Sequence, residues 1–192
     1  MVPMSSTDAN LSEDQKQLLL DLARDSIYEG LAGGRLMPQV QEYPPALQEH
    51  GASFVTLNIH ERLRGCIGTL EAYQPLVLDV VEHAYAAAFR DPRFPRLTQQ
   101  EYELVDVHIS LLGKPQEIHY SSEADLIGQL RPGTDGLILE EGSYRGTFLP
   151  SVWESLQNPE DFLRQLKRKA GLPMNYWSET IIIKRYTTES IS

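Results

Sequence analysis

One short stretch constrains the fold of this chain more than any other: a strand-like run followed by a cysteine bracketed by glycines. Val55, Leu57 and Ile59 alternate with Thr56, Asn58 and His60, the period of a half-buried strand. Soon after comes Leu63-Arg64-Gly65-Cys66-Ile67-Gly68-Thr69-Leu70, which holds the only cysteine of the chain and sets a guanidinium two positions before it. The two segments are close enough to pair as an antiparallel hairpin. Alternation then puts Cys66 and Gly68 on one face. The missing side chains at Gly65 and Gly68 clear a slot beside the sulfur, into which a ligand or another part of the protein can pack, and Gly65 is free to adopt a positive φ.

The other elements follow from periodicity and punctuation. Ser12 and Gln15 fit a capping box, and Leu18, Leu19, Leu22, Ala23 and Ile27 recur at helical spacing, which predicts a helix over 12–31 ended by Gly33-Gly34. Pro38, Pro44 and Pro45 make the next stretch a loop with at most a short helix. Leu76, Val77, Val80, Val81, Ala84 and Ala88 give a second amphipathic helix that ends near Asp91-Pro92, its last alanines allowing another backbone to approach. Strands are expected over 105–111 and 181–186. Between them, residues 136–140 and 145–149 form a hairpin around Glu141-Gly142, and a helix starts at Asn158-Pro159 and closes at Gly171. Acidic residues in its first turn and Lys167, Arg168 and Lys169 in its last complement the macrodipole. The terminal residues 187–192 and the first ten are expected to be mobile.

Composition excludes several function classes. With 192 residues and 41% apolar content the chain can bury a sizeable core. A single cysteine makes no intramolecular disulfide, and the first ten residues have neither a basic nor an apolar signal region, so the expected setting is reduced and cytoplasmic. No apolar run approaches a bilayer-spanning length. A net charge of −10, without a basic stripe interleaved with aromatics, argues against nucleic acid, although a local basic pocket remains open.

Catalytic templates are mostly absent. The five histidines show no i, i+4 pairing, and there is no Cys-x-x-Cys, phosphate-binding loop or nucleophile elbow, so neither a metal nor a cofactor is expected. Cys66 reads either as a small apolar filler or as a reactive thiol, with His60 and His108 the only candidate bases to reach it across the sheet. Arg64 reads either as an arginine bridging two subdomains through a carboxylate or backbone carbonyls, or as a ligand clamp. Asp91-Pro92-Arg93-Phe94 reads as a helix-ending turn.

The octet resembles the signature of the AMMECR1 domain family, a family of unsettled activity that includes system protein A of the set also containing Memo-like and radical-SAM proteins. Ala86-Ala87-Ala88-Phe89-Arg90-Asp91-Pro92-Arg93-Phe94, His108-Ile109-Ser110-Leu111-Leu112, Gly136-Leu137-Ile138-Leu139, Gly146-Thr147-Phe148-Leu149-Pro150-Ser151-Val152-Trp153 and Lys169-Ala170-Gly171-Leu172 continue the match over about residues 14 to 187. Ser151 departs from the glutamine expected there. The resemblance implies an α+β fold of two subdomains. The larger, about 11–120 plus 176–188, carries an antiparallel sheet flanked by helices; the smaller, about 121–175, is inserted and carries a short antiparallel sheet and helices.

The signature residues Leu63, Arg64, Gly65, Cys66, Ile67, Gly68 and Thr69 are the expected binding site, in a groove between subdomains. Two function classes compete there. One is a component that binds a small-molecule or peptide ligand and acts with Memo-like and radical-SAM partners. The other is a thiol enzyme in which Cys66 attacks, His108 or His60 is the base, and backbone N–H groups around 65–68 stabilise an oxyanion.

Overall fold

The computed structural model describes residues 11–192. The chain is α+β and divides into two compact units, one running to Leu112 and including Glu189–Ser192, the other comprising Gly113–Thr188.

In the first unit, α1 (Glu13–Leu31) begins at the expected capping box, in which Ser12 and Gln15 each accept from the other's backbone N–H. A 3-10 turn at Val40–Glu42 and the single-turn α2 (Pro45–Gln48) fill the proline-rich stretch. The strands β1 (His50–Ile59), β2 (Arg62–Gly68) and β3 (Gln74–Pro75) precede α3 (Leu76–Phe89), and a short α4 (Gln99–Tyr102) precedes β4 (Val105–Leu112). The sheet order is β2-β1-β4, closed on its far edge by β9 (Thr188–Ile191), with β3 beside the start of β1. The alternation read from the sequence sorts the faces. Val55, Leu57, Val107 and Ile109 are buried with Leu19, Ile27, Val77, Val80 and Ala84 of the two long helices. Thr56, Asn58, His108 and Ser110 stand on the opposite face, half-buried. Inside this core Asp79 accepts from the backbone and hydroxyl of Ser53, which offsets the cost of a fully buried carboxylate.

The second unit holds β5 (Gln116–Glu117), α5 (Glu123–Gln129), the hairpin of β6 (Gly136–Glu141) and β7 (Tyr144–Phe148), a 3-10 turn at Pro150–Glu154, α6 (Pro159–Ala170) and β8 (Ile182–Tyr186). Its antiparallel sheet has the order β5-β8-β6-β7. The caps of α6 are those the sequence predicts. At its start the Asn158 side chain accepts from the backbone N–H groups of Glu160 and Asp161, while Gly171 takes a left-handed φ of 93°. Phe162, Leu163, Leu166 and Ala170 are all buried, and Trp153 stacks on Phe162 at 3.7 Å.

Two expectations need correction. The boundary between units lies at 112/113 and 188/189, not near 120 and 175. The strand β8 is the cause: it pairs with β6 and β5, so it belongs to the smaller sheet. Residues 188–191 are a strand rather than a mobile tail, because Ile191 is buried in the first core and Glu189 pairs with Lys16 at 2.8 Å. The first ten residues lie outside the described range.

Candidate functional site

The signature octet lies on an edge hairpin. The turn joining β1 to β2 is His60-Glu61, both residues in the left-handed region at φ 50° and 62°, the geometry that suits the right-handed twist of a two-residue hairpin. His60 is therefore an exposed turn residue and not a strand residue facing Cys66, which is paired with Thr56 four positions away along β1. This removes His60 as a base for the sulfur.

Register breaks once along the hairpin. Leu57 pairs with Gly65 and Asn58 with Leu63, which leaves Arg64 as the extra residue of a β-bulge. The bulge turns the Arg64 side chain into a buried position, where Nε and Nη2 donate to the two carboxylate oxygens of Glu101 at 2.8 and 3.0 Å and Nη2 also donates to the Pro95 carbonyl at 2.9 Å. Arg64 thus pairs with a carboxylate and a carbonyl, and both lie within its own unit, where the sequence reading expects such partners across two subdomains. Glu101 additionally caps α4 by accepting from Thr98 N–H. The Arg64 guanidinium, ahead of the opposing effect of burial, holds the Glu101 carboxyl down to about 2. Nη1 of Arg64 is buried without a hydrogen-bond partner among the described residues.

The Asp91-Pro92-Arg93-Phe94 turn does more than end α3. Asp91 is buried and accepts from the backbone N–H of Cys66 at 2.9 Å, from Arg93 N–H and Nε at 3.0 Å, and from Arg93 Nη2 at 2.7 Å. Arg93 Nη2 in turn donates to the Cys66 carbonyl at 3.3 Å. Strand β2 is the sheet edge, so the Cys66 amide would otherwise offer an unpaired donor and acceptor; the Asp91–Arg93 pair covers both as a neighbouring strand would. In an antiparallel ladder an amide that points outward alternates with amides that point at the partner strand, so those of Gly65 and Ile67 face β1. Of the amides from Gly65 to Gly68, that of Cys66 is thus taken by Asp91 and those of Gly65 and Ile67 face the ladder, so they do not converge on one oxyanion beside the sulfur.

The slot expected from the two glycines is filled by the protein. A methyl group at Gly65 would sit 2.1 Å from the Ala87 carbonyl oxygen, because the alanines of α3 bring that backbone against β2. One at Gly68 would meet the Phe54 ring and the Ser53 carbonyl at 2.4 Å. Gly65 takes no positive φ. Of the octet's side chains, Ile67 lies against the first core and Leu63 is exposed, while the Thr69 hydroxyl accepts from Glu71 N–H.

On the opposite face, Cys66, Thr56 and His108 form one row across three strands, since Thr56 is in register with both of the others. The Thr56 hydroxyl is 3.2 Å from the half-buried sulfur. Two strand spacings of about 4.8 Å separate the backbones of Cys66 and His108, with Thr56 between them. His108 instead lines a cavity of about 720 Å³ together with Arg24, Asn58, Glu61 and Asp106. Asn58, Glu61, Asp106 and His108 make no side-chain hydrogen bond or ion pair with any described residue. No cluster of three or more His, Cys, Asp or Glu side chains able to hold a metal occurs among the described residues. No helix among them is long and apolar enough to cross a membrane.

The AMMECR1 family model matches residues 20–191, which takes in every residue of this site. The chain belongs to the AMMECR1 family. A protein of Methanothermobacter thermautotrophicus is 38% identical over 170 residues, 86% of each chain, and one of Thermofilum pendens is 37% identical over 182 residues, 87% of this chain and 84% of that one. The crystal structure of an uncharacterized protein from Pyrococcus horikoshii matches with a TM-score of 0.84 at 34% identity, over 94% of this chain and 92% of that chain. The signature of this AMMECR1 chain was legible as a motif; Glu101, Thr56 and the cavity residues Asn58, Glu61 and Asp106 were not. The Thr98-x-x-Glu101 capping box was the available signal for Glu101, whereas the bulge concealed the register that sets Thr56 beside Cys66.

Proposed function

We propose that this chain is a binding component and not a thiol catalyst, acting with the Memo-like and radical-SAM proteins that the family resemblance implies. The observation that carries this reading is how the polar groups are used. Around Cys66 they are consumed by architecture: its amide is bound by Asp91 and Arg93, Arg64 is bound by Glu101, and neither histidine is beside the sulfur. Next to it, four polar side chains without partners among the described residues line the cavity that contains His108. A concave site with a few convergent polar groups is the form small-ligand sites take, at volumes of roughly 300–1,000 Å³. A nucleophile needs a base within hydrogen-bond reach, and none is in place. A reduced, cytoplasmic setting fits the same reading, since the one cysteine is free.

Purified Memo-like and radical-SAM partners, titrated against the full chain, test this. Binding that weakens in His108→Ala and Asp106→Ala but survives Cys66→Ser supports the proposal. A turnover lost in Cys66→Ser, with folding intact, would instead establish the thiol enzyme.

A further inference from the structure

Three arginines gather around one aromatic pair at the C-terminal end of α3, and none forms an ion pair with a carboxylate among the described residues. The Arg35 guanidinium carbon lies 3.9 Å from the centre of the Tyr85 ring and that of Arg90 lies 5.3 Å from it. Arg96 lies 4.8 Å from the centre of Phe89, whose ring is 4.9 Å from that of Tyr85. Arg35 and Arg90 are therefore nearer each other than a Debye length of about 10 Å at 0.1 M salt, so their charges repel.

The carboxylates nearest along the chain are otherwise engaged or misplaced. Asp91 is held by Arg93 and the Cys66 amide, Glu101 by Arg64, and Glu29 lies over Gly34 without forming an ion pair with Arg35. One cation at a helix C-terminus is favoured by the macrodipole, and a guanidinium over an aromatic face gains cation–π attraction. Those terms account for single arginines; they do not account for three assembled without a carboxylate partner among the described residues, in a chain with a net charge of −10.

We infer that Arg35, Arg90 and Arg96, with the Tyr85 hydroxyl as a further donor, form a binding site for a phosphate-type dianion. Guanidinium forks match the oxygens of a phosphate monoester, and three positive charges suit a dianion better than a single carboxylate. All three arginines are exposed, so a ligand reaches them without opening the fold. The state of Tyr85 agrees: burial pushes its hydroxyl up, but Arg96 and Arg35 outweigh burial and the net shift is downward. This site is separate from the cavity at His108 and stands whether or not the binding role proposed above does.

Calorimetric titration of the full chain with inorganic phosphate at constant ionic strength tests it. Saturable binding with a Kd below about 1 mM is expected, weakened at least about tenfold in R35Q/R96Q and unchanged in R164Q, an exposed arginine on α6. Bound phosphate should also raise the Tyr85 titration, read as the absorbance difference between the wild type and Y85F. A phosphoserine peptide run alongside separates two sources of the same chemistry. Tighter binding of the peptide points to a phosphorylated protein and equal binding to a small phosphorylated molecule. No saturation by about 10 mM, or equal binding by R35Q/R96Q, overturns the inference.

Discussion

The backbone N–H of Cys66 donates to the carboxylate of Asp91 at 2.9 Å, so the cysteine is anchored by its main chain while its sulfur meets the Thr56 hydroxyl. Two motifs 25 residues apart in sequence act as one device. The turn after α3 seals the open edge of β2, and the edge strand in turn fixes the face on which Cys66, Thr56 and His108 line up. Support of this kind holds the row of side chains on that face in fixed register.

Removing the anchor should be costly. Asp91→Ala leaves the Cys66 amide and the Arg93 guanidinium without their acceptor, which is expected to destabilise by about 2–4 kcal/mol. Thermal denaturation should show the midpoint falling by about 5–10 °C. A shift under about 1 °C would mean that water replaces the carboxylate and that the seal is dispensable.

Acid should unfold the chain through the same two carboxylates. Arg93 is the largest influence on Asp91 and, with the Cys66 amide, outweighs burial to hold it well below the usual carboxylate range. Glu101 sits at about 2 against an ordinary 4.5. Both folded values lie below the unfolded ones, so the unfolded chain binds more protons in acid. The stabilisation is complete above about pH 5 and is lost as pH falls towards the folded values. Urea midpoints should therefore drop steeply between about pH 5 and pH 2, and the Glu101→Gln variant should show a shallower slope from a lower starting stability. Identical slopes in the two proteins would remove Glu101 from the acid transition.

Glycines that look alike in the sequence should respond oppositely to alanine. Gly65→Ala forces a methyl group into the Ala87 carbonyl, backbone against backbone, and is expected to cost several kcal/mol, of the order of 3 or more. Gly128 lies in α5 with nothing within 4 Å of the added methyl, so Gly128→Ala should stabilise by up to about 1 kcal/mol. Chemical denaturation of both variants checks the contrast.

What the sequence made legible divides along physical lines. Caps and periodicities are local, and so α1, α3, α6 and the β6–β7 hairpin emerged with their boundaries nearly right. Membership of a strand in a sheet is not local: 182–186 reads as a strand from its own residues, but nothing in them says that it joins β6 instead of β1. The left-handed turn at His60-Glu61 was missed because neither residue is the glycine or asparagine that usually marks such backbone, and the bulge at Arg64 because the adjacent Gly65 reads as clearing a slot and not as marking an extra residue. Burial against polarity also misled, as the last turn of α6 shows.

There Lys167 reads as one more exposed cation complementing the macrodipole, yet it is fully buried, with its ammonium on Glu123 of α5 and near the Trp177 ring. Removing one member of such a pair is costly when the other is left buried, as Lys167 would be, and much less so when the survivor reaches water, as Glu123 does with its side chain 35% exposed. Glu123→Ala should therefore destabilise by about 3 kcal/mol, whereas Lys167→Met should fall within about 1 kcal/mol of the parent. Equal losses in both, measured by urea titration, would show that the pair contributes attraction beyond its desolvation cost.

The last prediction concerns Cys66 itself. A thiol that serves catalysis is attacked by iodoacetamide faster in the native protein than in the unfolded chain, because its surroundings favour the thiolate. Here the surroundings offer a threonine hydroxyl at 3.2 Å and no imidazole, and the sulfur is half-buried between strands. Alkylation followed by mass from about pH 5 to about pH 10 should accordingly be slower in the native protein than in urea at every pH. Thr56→Val should raise the native rate only modestly, since it removes the hydroxyl contact and leaves the packing. A native rate above the unfolded one, with an apparent pKa well below the roughly 8.5 of a free thiol, would reverse the order of the two functional readings and make Cys66 the nucleophile to follow.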